Sequence, residues 1–239
     1  MPINLGGNTL NSLGTKLLND TSVVTSGSIL YLDAGIATSY GGSGTTWTDL
    51  TTSGYNATLQ NGPTYSTVSG GAIVFDGTND NATTGVTGIV PIGSSPYTVS
   101  VWLYRNRNNA GYEEVLSQWT SANSGNSFYF GFNNSNVRFN DGSWNDVVVS
   151  GAGNIEVWMN LVGVSTGTNA FIYLNSSLAA TRGSALTYGG VGPFVIGKQG
   201  ALDGEYFGGR IGNILVYNRA LSSAEILQNY QVQRQRFGL

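Results

Sequence analysis

The chain carries thirteen carboxylates, no histidine and no cysteine, and this sets the chemistry open to it. Without imidazole or thiol there is no Ser-His-Asp or Cys-His nucleophile, no histidine-ligated zinc and no disulfide. Carboxylates remain, and glycoside hydrolysis needs two of them, about 5 Å apart for retention or roughly 6.5–9.5 Å apart for inversion. Asp203-Gly204-Glu205 supplies an alternating acidic pair, but in a glycine-rich segment that reads as a loop without a third acid. Glu113 and Glu114 are adjacent, so on a strand they face opposite sides. These acids read as solvated loop groups, and the chain is expected to be a non-enzyme.

Two kinds of binding chemistry are open. Asp76, Asn79 and Asp80 put three side-chain oxygen groups within five residues. A hard cation such as calcium accepts that set, and so does an ordinary turn in which the side chains bond their own backbone. Sugar recognition combines an aromatic face with planar polar groups. Aromatics outside the evident core pattern are Trp47, Tyr55, Tyr112, Trp119, Trp144, Tyr188 and Tyr206, of which Tyr112, Trp119, Trp144 and Tyr206 are the chosen glycan-binding candidates. Trp144 sits in Asn140-Asp141-Gly142-Ser143-Trp144-Asn145-Asp146, and Tyr112 follows the loop Arg105-Asn106-Arg107-Asn108-Asn109-Ala110-Gly111. The asparagines interleaved with and following Arg105 and Arg107 point to a solvated turn rather than a basic patch.

The elements that must position these residues are short strands. Tyr97–Tyr104 alternates, with Val99, Val101 and Leu103 on one face. Phe128, Phe130 and Phe132 share a face, and Ile155, Val157, Met159 and Leu161 are expected to do the same. About eleven such runs, separated by Gly, Asn, Ser and Thr, exclude a parallel α/β fold and predict an all-β antiparallel sandwich. One helix is predicted late in the chain. Ser222 caps it, Glu225 completes a capping box, Ile226, Leu227 and Tyr230 form its apolar face, and Gly238 ends it. Residues 1–26 differ: they are polar, without aromatics, and carry Leu10, Leu13 and Leu17 at helical spacing. They read as an N-terminal arm, a docking segment ahead of a sandwich domain over residues 27–239.

Composition narrows the setting. Only 10% of the 239 residues are charged, against about 25% in ordinary domains, and 35 are glycine. A net charge of −3 gives no footprint for nucleic acid, and no apolar run is long enough to insert in a membrane. The start lacks the basic and apolar regions of a secretory signal, so expression in the cytoplasm is expected.

Three ordered segments resemble the concanavalin A-like lectin/glucanase sandwich and, within it, the laminin-G-like domain. They are Ile73-Val74-Phe75-Asp76-Gly77-Thr78-Asn79-Asp80, Tyr97-Thr98-Val99-Ser100-Val101-Trp102-Leu103, and the run from Phe207 to Ile226, whose tail Tyr217-Asn218-Arg219-Ala220-Leu221-Ser222-Ser223-Ala224-Glu225-Ile226 is the most specific part. Two positions depart from that pattern: Asn81-Ala82 follows Asp80 where an aromatic is usual, and Asn175-Ser176 stands where the family has Asn-Gly. The opening, Ile29–Gly35 with Ser43–Leu50 and Asn61–Tyr65, is similar to laminin-G-like domains of bacteriophage virion structural proteins. The resemblance implies a jelly-roll sandwich with one short C-terminal helix. It also implies a non-catalytic decoration protein on a capsid or tail, self-associating and displaying a face for host-surface polysaccharide, with calcium as the one cofactor in view. A carbohydrate-binding module or, further off, a glycoside hydrolase are the alternatives.

Overall fold

A computed structural model describes residues 4–5, 8–9, 22–108, 110–119, 127–142, 146–189, 192–200 and 204–239. Among them β1 (Asn4–Leu5) and β2 (Asn8–Thr9) form a small antiparallel hairpin. The sandwich is built from β3 (Ser28–Asp33), β4 (Thr46–Trp47), β5 (Ala57–Gln60), β6 (Thr64–Ser66), β7 (Ala72–Asp76), β8 (Asn81–Thr87), β9 (Tyr97–Arg105) and β10 (Tyr112–Gln118). It continues through β11 (Phe128–Asn133), β12 (Asn136–Asn140), β13 (Val147–Val149), β14 (Trp158–Ser165), β15 (Ala170–Leu174), β16 (Ser177–Arg182), β17 (Pro193–Ile196) and β18 (Gly208–Tyr217). One α-helix, α1 (Ser223–Gln233), follows, with a 3-10 turn over Arg234–Phe237.

Two antiparallel sheets face each other. The front sheet runs β13-β12-β11-β10-β17-β8-β5-β4, and the back sheet runs β16-β15-β14-β9-β18-β7-β6, with β3 also paired to β18. The predicted alternation holds in the core: Val99, Val101 and Leu103 from the back sheet meet Phe128, Phe130, Phe132, Val137 and Phe139 from the front. Rings there pack edge to face, Phe130 against Phe139 at 5.3 Å and Phe128 against Phe139 at 6.1 Å.

The strands are more numerous than the sequence suggests. β4, β5, β6 and β16 are two to six residues long and rich in Thr, Ser, Ala and Gln, so they carry little apolar signal. β14 starts at Trp158, not at Ile155; Ile155 and Val157 are exposed. The Asn175-Ser176 departure from Asn-Gly sits in the β15–β16 hairpin, where both residues adopt left-handed backbone, φ 49° and 66°. That turn suits Asn and Gly; serine is held there by the pairing of its strands.

The outer face of the back sheet is covered. Trp102 stacks on Phe237 at 4.3 Å and on Tyr230 at 5.6 Å. The predicted capping box forms: the Ser222 hydroxyl accepts from the Glu225 amide at 3.3 Å, and the Glu225 carboxylate accepts from the Ser222 amide at 2.9 Å. Leu227 was expected on the apolar face but is exposed, and Asn229 takes the buried position instead. The reason is a polar clasp. Asn229 donates to the Tyr217 hydroxyl at 3.0 Å and accepts from the Val24 amide at 2.8 Å. Residues 22–26, within the segment read as an arm, are therefore fastened to the sandwich. Leu10, Leu13 and Leu17 lie outside the described residues.

Candidate ligand-binding face

Helix α1 covers part of the back sheet, and the outer face of the front sheet carries two cavities open to a ligand. Alternation dictates what stands on that face. Phe130 and Phe132 of β11 and Val137 and Phe139 of β12 point into the core, so Tyr129, Arg138 and Asn140 point out. On β10 the adjacent acids diverge as expected. Glu113 turns inward and pairs with Arg105, whose Nε donates to it at 2.6 Å. Arg105 also donates to the Gly153 carbonyl at 3.0 Å and lies 4.3 Å from the Phe132 ring centre. Arg107 completes the set at 3.0 Å from Glu113. The reading of Arg105 as part of a solvated turn is thus corrected: it ends β9, fully buried, because Glu113 from the opposite sheet neutralises it.

Glu114 turns the other way and is nevertheless fully buried. Its partner across β11 is Gly131, and Gly131 in turn pairs with Arg138. The absence of a side chain at 131 makes the space: a Cβ there would meet Glu114 Oε2 at 2.8 Å. The 204–206 segment closes over it, with the Glu114 amide donating to the Glu205 carbonyl at 2.8 Å. Both Glu114 carboxyl oxygens lack a hydrogen-bond partner. Burial therefore pushes its pKa up to about 8, which the nearby Arg138 guanidinium only partly opposes.

Above this carboxyl lies a cavity of about 150 Å³ lined by Tyr112, Tyr129, Arg138, Asn140, Gly142, Gln199 and Glu205. Arg138 lies 4.5 Å from the Tyr112 ring centre and 5.8 Å from that of Tyr129. Its guanidinium is 3.5 Å from Glu114 and 3.7 Å from Asp146. Asn140 bonds Asp146, and Gln199 donates to the Tyr129 hydroxyl at 3.3 Å. Burial raises the pKa of both Asp146 and Glu205, with Arg138 acting in the opposite direction. A second cavity of about 270 Å³ opens on the same face over β5, β8 and β17, lined by Asn81, Thr83, Trp119, Val195 and Lys198 among others. Between the two run Lys198 and Gln199, with the Lys198 carbonyl held by the Ser117 hydroxyl at 2.8 Å.

Three of the four glycan-binding candidates meet on this face. Tyr112 lines the first cavity and Trp119 the second, though Trp119 is mostly buried. Tyr206 lies beside them, bridged to Glu114 and with Lys198 Nζ 5.6 Å from its ring centre. Trp144 and Asp203 lie outside the described residues. Trp47 and Tyr188 are core residues, and Tyr55 packs against the core. The sequence reading missed Arg138, Tyr129, Gln199 and the position of Glu114. A signal existed for two: Arg138 between Val137 and Phe139, and Tyr129 between Phe128 and Phe130, are the outward residues of alternating strands.

Asp76, Asn79 and Asp80 form the β7–β8 turn. Asp76 Oδ1 accepts from the amides of Thr78 at 2.7 Å, Asn79 at 3.2 Å and Asp80 at 3.4 Å, which together hold its pKa below the usual range. Asp80 Oδ2 accepts from the Asp76 amide at 3.0 Å, and burial raises its pKa. Asn79 contributes its carbonyl, to Asn61 and Asn81. These are the side-chain-to-backbone bonds of a turn. Among the described residues no three His, Cys, Asp or Glu side chains form a group that could hold a metal ion.

The fold is shared widely. Trypanosoma rangeli sialidase in complex with sialic acid superposes with a TM-score of 0.69 at 15% identity, covering 96% of this chain and 36% of that one. The chain thus spans about a third of the sialidase. Domain 4 of AbnA, an extracellular arabinanase of Geobacillus stearothermophilus, in complex with arabinotriose, gives 0.66 at 14% identity, over 86% of this chain and 98% of that domain. The receptor-binding domain of botulinum neurotoxin C/D mosaic serotype gives 0.63 at 16%, over 88% and 52%. No curated protein matches at the sequence level. A family profile does, over residues 76–227, more than half of the chain and including β10–β12 and the capped first turn of α1. The chain belongs to the laminin-G-type family of the concanavalin A-like lectin/glucanases superfamily.

Proposed function

We propose that this protein is a non-catalytic lectin-like module that binds glycan on the outer face of its front sheet and decorates a virus particle. One observation carries the glycan reading: the 150 Å³ cavity joins aromatic faces (Tyr112, Tyr129) with planar donors and acceptors (Arg138, Asn140, Gln199, Glu205). Sugar hydroxyls both donate and accept, so a mixed lining suits them, while C–H faces stack on rings. That a domain of similar size and fold is found with arabinotriose supports the reading. Non-catalysis is supported by Glu114. It is the carboxyl best suited to act as an acid near neutral pH, yet it is fully buried and does not line the cavity.

A glycan array followed by titration tests the site. Tyr112→Ala is expected to weaken binding about tenfold, roughly the worth of one stacked ring, with the melting temperature unchanged. Equal binding by the variant would remove the cavity from consideration. Absence of turnover on a panel of polysaccharides is expected, and turnover abolished by Glu205→Gln would overturn the non-catalytic reading.

The virion setting is supported by the likeness of Ile29–Gly35 and its following segments to phage structural domains, and by a surface with few charges. Mass spectrometry of gradient-purified particles tests it. Tens to hundreds of copies would indicate capsid decoration, a few copies the tail, and absence would favour a carbohydrate-binding module acting alone or beside an enzyme. On a particle, many weak sites would act together.

A further inference from the structure

The charge around Arg138 narrows the sugar, on the condition that the same cavity binds glycan. The Arg138 side chain is 6% exposed and lines the cavity, and its Nε faces Asp146 at 3.7 Å, too long for a hydrogen bond. Its guanidinium N–H groups can donate to an oxygen acceptor of a ligand in the cavity. Yet Arg138 stands among three carboxyl groups, and the nearby Arg182 is matched by its own partner Asp141 at 3.9 Å. Arg138 pairs with Glu114 and Asp146, at 3.5 and 3.7 Å, and not with Glu205. Glu205 lines the cavity from a backbone held in the left-handed region, φ 54°, unusual for a glutamate. Even with Glu114 neutral, Asp146 and Glu205 leave a net negative charge around this cation. A fourth carboxylate would be repelled in this partly buried place, whereas a second cation would be attracted.

We infer that the cavity selects a sugar bearing a free protonated amine, a hexosamine unit, whose ammonium pairs with Glu205 and whose neighbouring oxygens accept from Arg138. A hexosamine matches both demands at once, since its ammonium lies beside hydroxyl and ring oxygens. An N-acetylated sugar keeps the oxygens but loses the charge. A uronic acid meets Arg138 but adds to the carboxylates.

The test uses the full chain and three oligosaccharides of equal length, built from glucosamine, N-acetylglucosamine or galacturonate, titrated calorimetrically just below neutral pH. The glucosamine oligomer is expected to bind at least about tenfold more tightly than the other two, equivalent to about 1.4 kcal/mol. The preference is expected to shrink at high salt, because a partly exposed ion pair is screened. Glu205→Gln is expected to abolish the preference, read as the ratio of the glucosamine oligomer's affinity to that of the acetylated oligomer in the same variant. Equal or tighter binding of the acetylated or acidic oligomer, or a preference that survives Glu205→Gln, would overturn the amine inference and leave the glycan reading standing. Failure of all three oligomers together with a blank glycan array would remove the glycan reading itself.

Discussion

Glu114 is a carboxyl with no exposure and no hydrogen bond to its oxygens, and such a group is held in its neutral form. Its folded pKa, about 8, lies above the ordinary 4.5. Between those values the folded state binds a proton that the unfolded state releases, so stability falls as pH rises through that window and levels off above it. Its stabilising effect is fully present only below about pH 4.5. Glu114→Gln removes the titration. The variant is expected to be more stable than the parent at pH 9, on the order of a few kcal/mol, and its stability should be flatter between pH 5 and 8. Urea midpoints across that range for both proteins check this. A parallel pH dependence in parent and variant would mean that Glu114 is charged in the fold. Arg138 shares the arrangement: a neutral Glu114 beneath it leaves the guanidinium with Asp146 and with whatever enters the cavity.

Elements in this sandwich are joined by a few polar contacts placed where the apolar core ends. Arg105 of β9 and Glu113 of β10 form an ion pair across the two sheets with neither side chain exposed. Removing one partner strands the other. Glu113→Ala is expected to destabilise by about 3–5 kcal/mol, whereas Arg105→Met with Glu113→Leu should come close to neutral. Thermal unfolding of the single and double variants separates the two outcomes. The β15–β16 hairpin offers an opposite test. Ser176 occupies left-handed backbone that glycine adopts without strain, φ 66°. Ser176→Gly is expected to stabilise by about 0.5–1 kcal/mol, read as a higher melting temperature, because relief of strain exceeds the added freedom of the unfolded chain. Helix α1 is set by its first turn: Arg219 donates to Glu225 at 2.7 and 3.0 Å, and with Ser222 this holds the Glu225 pKa down to about 2.

Across the whole molecule the two outer faces have different duties. The back face is occupied by α1, the aromatic stack on Trp102 and the segment 22–26, where Val24, Ser26 and Ser22 bond Asn229, Arg219 and Gln228. The front face carries the two cavities around Arg138 and Trp119, and a third, of about 240 Å³, lies on the back side against Val23, Val24, Tyr31 and Leu215. This division predicts two truncation outcomes. Deleting residues 1–20 should leave the melting temperature almost unchanged and, in the proposed virion role, abolish association with particles. Deleting residues 1–27 should lower stability by about 2–4 kcal/mol, since it removes these hydrogen bonds and the packing of Val23 and Val24 on the back sheet. If the shorter deletion still decorates particles fully, anchoring lies elsewhere.

The local pattern of residues was enough to determine the all-β class, the inward faces of β9 and β11, the divergence of Glu113 and Glu114, and the capped helix. Each of these follows from a period of two or from a cap, which are properties of neighbouring residues. The choice of Tyr112, Trp119 and Tyr206 also came from the sequence, by setting aside aromatics that fit a core alternation; the same filter admitted Trp47 and Tyr188, which are buried by strands distant in sequence. What only the tertiary structure decided was pairing across long separations. Gly131 opposite Glu114, Arg138 beyond it and the 204–206 segment above come from four parts of the chain, and they bury an acid that the sequence presents as ordinary. Arg105 is fully buried because its partner Glu113, only eight residues on, lies in the other sheet. Side-chain type and spacing determine which face a residue takes. Burial and charge depend on what the opposite strand brings, and sheet topology alone sets that.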